Sequence, residues 1–126
     1  MAITKILARK GRLDVGVRYV LNGDKTQEQV LTARLNCDPG HECRQMLETK
    51  RAVGKEGGIQ YYHLIQSFRP GEITPEEANQ LGVEFAKRFT KGNHAFVVCT
   101  HIDKSHIHNH IIWSSVSLEY DRKFRN

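Results

Sequence analysis

Cysteine is scarce in this 126-residue chain: Cys37, Cys43 and Cys99 are its three thiols, with no CxxC pair and an odd count. A disulfide framework is thereby excluded, and reduced thiols in a cytosol are the expectation. Cys37, His41 and Cys43 lack an evident fourth partner for a zinc site. Long apolar runs are missing too. None approaches the roughly 18 residues of a membrane span, and the first residues carry no apolar signal core. A cytoplasmic protein without membrane attachment is expected. Internal repeats and low-complexity tracts are absent, and no P-loop signature points to a nucleoside triphosphate.

Hydrophobic residues make up 39% and charged residues 26% of the chain, the balance of a soluble globular domain with a real core. The net charge is +5. Its excess gathers early, where Lys5, Arg9, Lys10, Arg12 and Arg18 face only Asp14, and recurs at Lys87, Arg88 and Lys91 and at Arg122, Lys123 and Arg125. Such clusters favour a polyanionic partner, because lysine and arginine displace counterions from phosphates. Nucleic acid leads.

Residues 2–8 read as a strand, and 13–21 as a helix with Leu13, Val17, Val20 and Leu21 at helical spacing. A turn follows at Asn22-Gly23-Asp24, then a strand over 29–36 ended by Asp38-Pro39-Gly40, and a helix over 41–53 closed by Gly54. Residues 59–68 form a third strand. Thr74-Pro75-Glu76-Glu77 is a helix start with capping threonine, first-turn proline and closing glutamate. That helix is expected to present Ala78, Leu81, Phe85 and Phe89 on one side. Strands over 95–102 and 107–116 complete the order, with Trp113 in the core beside Ile107 and Ile111. The class is α/β (α+β), a mixed or antiparallel sheet with helices packed on it.

Four of the seven histidines fall between His101 and His110. Asp103-Lys104-Ser105 suits a tight reversal between apolar runs. A hairpin with Ile102 opposite Ile107 sets His101 opposite His108 and diagonal to His110, about 5 Å and 7–8 Å apart. Period-two spacing sends His106, His108 and His110 to one face. One isolated histidine would read as an ordinary polar residue near a sheet edge. Four at strand periodicity between Ile and Val read as a divalent-metal site and a metal-assisted reaction. Asp103 is suited to accept a ligand's other N–H. His106, nearest the turn, faces a phosphate or solvent instead.

Together with VRYVLN (Val17 to Asn22) and YYHLIQSFRPGE (Tyr61 to Glu72), the run FVVCTHIDKSHIHNHIIW closes a recognisable set. From about Ile3 to its end, the chain resembles the N-terminal relaxase domain of plasmid and conjugative-element mobilisation proteins of the MobP type. These are a branch of the HUH (His–hydrophobe–His) endonucleases. The resemblance implies the HUH palm, a central, mostly antiparallel sheet with the histidines on a central hairpin. It implies one nuclease domain over 1–126, truncated relative to a full relaxase. Tyr19 is then the nucleophile and His101, His108 and His110 the metal ligands, with Asp103 supporting them and His106 at a variable position beside them. Ser67 matches a serine in contact with DNA near the nick, and Arg18, Lys123 and Arg125 are further DNA-contact candidates. Two positions depart from the pattern: Ser114 stands where asparagine is frequent, and Asn109 replaces the hydrophobe between His108 and His110.

The reaction so implied is strand-specific nicking of single-stranded origin DNA. The Tyr19 phenolate attacks phosphorus, leaving a 3′-hydroxyl and a 5′-phosphotyrosine link; reversal rejoins the ends without ATP. Family resemblance implies Mg2+ or Mn2+, although imidazole ligands also suit Zn2+. Accessory relaxosome proteins and a coupling protein are the expected partners of a monomer. Two other functions compete. A replication initiator or transposase of the same chemistry would use a tyrosine after the histidines, where Tyr120 stands. A non-catalytic, metal-containing DNA-binding module would bind without cleaving. Tyr61 and Tyr62, on opposite faces of one strand, are rival phenols that suit packing or base stacking better.

Overall fold

Consecutive apolar residues, buried at Phe96–Cys99 and Ile111–Trp113, build the central strands of this protein, and apolar residues at helical spacing build the helices that cover them. The computed structural model describes residues 3–21, 31–52, 58–103 and 106–116. In chain order these form β1 (Ile3–Arg9), α1 (Leu13–Val20), β2 (Thr32–Leu35), α2 (Glu42–Ala52), β3 (Tyr61–Phe68), α3 (Pro75–Thr90), β4 (Phe96–Asp103) and β5 (His106–Ser114). The turn at 22–24, the helix stop at Gly54 and the residues from 117 onward, Tyr120 included, lie outside the described residues. No helix among them is long and apolar enough to cross a membrane.

The strands run in the order β1-β3-β5-β4-β2, and each neighbouring pair is antiparallel. The fold is therefore α+β, with β5 at the centre of the sheet and β1 and β2 at its rims. Helices cover both faces. One core layer joins Leu13, Val17 and Val20 of α1 and Met46 of α2 to Tyr61, Val97, Cys99 and Ile112 of the sheet. The other sets Ala86 of α3 on Tyr62, Leu64, Phe96, Val98, Ile111 and Trp113.

α3 begins as its sequence predicts. The Thr74 hydroxyl accepts the Glu77 N–H and the Glu77 carboxylate accepts the Thr74 N–H, both at 3.2 Å. Its inward face matches the expected one at Ala78, Phe85 and Phe89 but not at Leu81. Ala78, Gly82, Ala86 and Thr90 are buried, whereas Leu81 is 42% exposed. The reason is distance: small side chains let the helix lie close on the sheet. A Cβ at Gly82 would stand 2.8 Å from Asn109 Nδ2 and 2.9 Å from Val98 Cγ1. Phe89 instead packs edge-on to Trp113 at 5.4 Å and stacks with Phe85 at 5.5 Å.

Asn109 explains how a polar residue takes a hydrophobe's position. Its fully buried amide donates to the Ala78 carbonyl at 2.6 Å and to Gln66 Oε1 at 3.1 Å, and accepts from the Thr100 hydroxyl at 2.7 Å. Satisfied on each side, it binds α3, β3 and β4 to the central strand. Ser114 serves the strand end, its hydroxyl accepting the Val116 N–H at 3.3 Å.

Candidate nuclease site

The β4–β5 register pairs Ile102 with Ile107, His101 with His108 and Asp103 with His106, the hairpin its sequence predicts. On the other flank of β5, Ser67 pairs with His108, Ile65 with His110 and His63 with Ile112. Since side chains two apart share a face, His101, His108, His110, His63 and Ser67 all belong to the face covered by α1. Cross-strand pairing, and not loop geometry, sets their spacing.

α1 brings the phenol. Leu13, Val17 and Val20 face inward, so Tyr19 and Val15 point out, 53% and 57% exposed. Gly16 lets the helix lie on β3; a Cβ there would run into the ring of Tyr61, with Cε2 at 2.9 Å. The last turn of α1 is tied down by His101, whose Nε2 donates to the Val20 carbonyl at 2.7 Å. A helix end leaves such carbonyls without an intrahelical donor, so this bond satisfies one of them. The residue before Val20 is Tyr19. Its ring stands edge-on to His110 at 5.9 Å and to His101 at 6.3 Å, and those two imidazoles are 4.3 Å apart between centroids.

Sequence reasoning missed His63. This side chain is buried, and its Nε2 lies 2.8 Å from His110 Nδ1. Burial first, then the charges of Arg9 and His101, push its pKa down to about 4, so the ring is neutral near pH 7. The available signal was the alternation in Tyr61–Phe68, which puts His63 in phase with Ser67. What the signal lacked was the knowledge that β3 lies beside β5.

The other candidates fall as follows. His108 has its ring stacked with that of His106, centroids 6.1 Å apart. Ser67 is half-buried opposite His108. Arg18 is exposed on α1, its guanidinium 3.8 Å from the Asp14 carboxylate. The side chain of Asp103, and the whole of Lys123 and Arg125, lie outside the described residues. Tyr61 is buried under α1 and Tyr62 stacks on Trp113 at 5.6 Å, so both are packing residues. Cys99 pairs with His110 across the hairpin, but burial pushes its thiol up to about 12, which keeps it protonated and unreactive.

A cleft of about 780 Å³ opens beside Tyr19, His63 and His110. Arg9 and Lys10 give it a basic lip, and Val15, Ile59 and Ile65 an apolar lining. Cations for a phosphate chain and flat apolar surface for bases are what a single strand requires.

Among the described residues, no three His, Cys, Asp or Glu side chains are drawn up around one point at ligating geometry. The donor chemistry nonetheless fits a divalent cation. The Val20 carbonyl can only accept, so His101 carries its proton on Nε2 and its lone pair on Nδ1. His110 is likewise engaged at Nδ1. Imidazoles held through one nitrogen by a fixed acceptor are the usual form of metal-binding histidine.

The family model for the MobA/VirD2-like relaxase nuclease domain matches residues 19–126. "Protein rlx" of Staphylococcus aureus is 41% identical over 126 residues, covering 100% of this chain and 38% of that protein. A second Staphylococcus aureus "Protein rlx" is 39% identical over 126 residues, 36% of its length. "Group II intron-interrupted relaxase LtrB" of Lactococcus lactis subsp. cremoris is 42% identical over 74 residues, covering 58% of this chain and 13% of that protein. The chain thus spans well under half the length of these relatives.

Proposed function

The chain belongs to the MobA/VirD2-like relaxase nuclease family, and on that premise we propose that it nicks and rejoins one DNA strand at a transfer origin through a covalent link to Tyr19. Residues 1–126 are read as the nuclease portion of such a protein. The observation that carries the reading is an exposed phenol standing edge-on to two buried imidazoles, at 5.9 Å and 6.3 Å, beside a cleft with a basic lip.

In this reading the unwound origin strand lies along the cleft, with Arg9, Lys10 and Arg18 drawing its phosphates and Val15 and Ile59 meeting its bases. Ser67 contacts DNA near the nick. Tyr19 Oη forms a bond to phosphorus as the bond from phosphorus to the 3′ oxygen breaks. The phenolic proton is released and the departing oxygen takes one up, leaving a 3′-hydroxyl and a 5′-phosphotyrosine. Attack by a 3′-hydroxyl reverses both bond changes. His101, His108 and His110 are the residues that would hold a divalent cation, with Asp103 in support and His106 beside them. Mg2+ or Mn2+, or Zn2+ given the imidazole donors, supplies Lewis-acid polarisation of the scissile phosphate when bound. Anchoring by His101 keeps Tyr19 at the imidazoles, so the attacking oxygen needs little reorganisation. Relaxosome proteins and a coupling protein are the partners this reading implies.

A single-stranded origin oligonucleotide incubated with Mn2+ tests it. A denaturant-resistant protein–DNA adduct is expected for the wild type, none for Tyr19→Phe, and loss of cleavage on chelation with DNA binding partly kept. An adduct of full strength in Tyr19→Phe removes Tyr19 from the mechanism. Mapping the adduct to Tyr120 would favour a replication initiator or transposase. Tight, salt-sensitive binding without cleavage would favour a metal-containing binding module.

A further inference from the structure

His63 belongs to none of the motifs that led to the site, yet it is the side chain most directly joined to one of its imidazoles. His110 pairs with Ile65 across β3–β5, so His63 is its diagonal neighbour on the same face. The two rings are 5.0 Å apart between centroids, tilted by 45°, with Nε2 of His63 at 2.8 Å from Nδ1 of His110. Both residues are more than nine-tenths buried, at 6% and 8% exposure, and both sit on long central strands. One of the two nitrogens must donate and the other accept. We propose that His63 is a positioning residue that accepts the Nδ1–H of His110, fixing that ring's tautomer and turning its Nε2 to the divalent cation.

The inference rests on the metal-assisted reading above and adds a residue to it. The chemistry is that of an orienting acceptor: it locks the ligand's rotation, raises its basicity and excludes the wrong tautomer. Carboxylates and backbone carbonyls commonly fill this role, and His101 uses the Val20 carbonyl in the same way. At His110 a neutral imidazole on the adjacent strand takes the part. A cation between the two rings is incompatible with a 2.8 Å contact between their nitrogens, so His63 is an orienter and not a fourth ligand.

The test is Mn2+ binding by the 126-residue protein, read from the electron paramagnetic resonance signal of the free ion. Wild type is compared with His63→Leu, which removes the acceptor, and His63→Gln, which restores one at a similar reach. Folding of each is checked by circular dichroism. His63→Leu is expected to weaken Mn2+ binding by about 10- to 100-fold, the usual loss for an orienting partner, and His63→Gln to recover most of it. Unchanged binding in His63→Leu overturns the proposal. So does a Gln variant as weak as the Leu variant, the result for a direct ligand. If the substitutions unfold the protein, imidazole proton–nitrogen correlation spectra of the wild type with Mg2+ decide instead. A proton on Nδ1 of His110 upholds the proposal, and one on Nε2 defeats it. The two levels separate: a wild type that takes up no Mn2+ sinks the metal reading and this inference with it, whereas a binding wild type with an indifferent His63→Leu sinks the inference alone.

Discussion

Gly82→Ala is the sharpest probe of how this sheet is held. In an isolated helix the change would stabilise, since alanine outranks glycine by about 1 kcal/mol. Here the added methyl would meet Asn109 Nδ2 at 2.8 Å and Val98 Cγ1 at 2.9 Å, with Asn109 Cγ at 3.2 Å. Neither neighbour is a flexible tip. Val98 is fully buried, and the Asn109 amide is pinned by Ala78, Gln66 and Thr100. Overpacking of this kind costs about 1–3 kcal/mol, and disturbing a buried hydrogen-bonded amide about 1–3 kcal/mol more. Set against the helix gain, a net loss of about 1–5 kcal/mol, centred on about 3 kcal/mol, is expected, or about 10–15 °C in thermal midpoint for a domain of this size. Thermal unfolding followed by circular dichroism measures it. Leu81→Ala is the companion: Leu81 is 42% exposed, so its truncation should change stability by well under the ~2–5 kcal/mol of a core leucine. A Gly82→Ala protein as stable as wild type, or a Leu81→Ala protein crippled in its place, would refute the close-packed geometry of α3.

Acid should weaken the fold through His63. Its folded pKa is pushed down to about 4, below that of the unfolded chain, so the unfolded state binds the proton first. Stability therefore falls as pH drops from about 6.5, reaching a loss of about 3 kcal/mol below pH 4; urea melts across that range check it, and His63→Leu should flatten the slope. The thiols should be sluggish: with Cys99 pushed up to about 12 and Cys37 up to about 11 by burial, alkylation at pH 8 should label them much faster in denaturant than in the native protein. Equal rates in both would contradict their burial. Arg34 contacts the buried Glu42 carboxylate at 2.9 Å, and Arg34→Ala should destabilise by about 3–5 kcal/mol because an unpaired charge is left inside. A denaturant midpoint unmoved by that change would exclude the pair from the core.

The histidine hairpin was legible because Ile102 and Ile107 flank the four polar residues 103–106, which leaves one sensible register, and the family resemblance read from its HxDxxHxHNH pattern is borne out by the family match. The start of α3 was legible through its capping box. Its inward face was legible only in part: Ala78, Phe85 and Phe89 reach the sheet as expected, but hydrophobicity favours Leu81 over Gly82 and Ala86, and how closely a helix approaches a sheet is not written in it. His63 escaped for a topological reason. β3 and β5 are separated in sequence by α3 and β4 yet lie side by side, and no local pattern tells which strand will insert there. The tether from His101 to the end of α1 is a contact of the same long-range kind.

The rim position of β1 bears on how the protein behaves in concentrated solution. No strand among the described residues pairs with its outer side, so seven residues of backbone form an open ladder of the sort that recruits a second molecule. Lys5 and Arg9 are exposed along it. A second copy docking edge to edge would bring the same cations alongside, and their mutual repulsion guards against self-templated aggregation. Replacing both by valine would convert that rim into a sticky one.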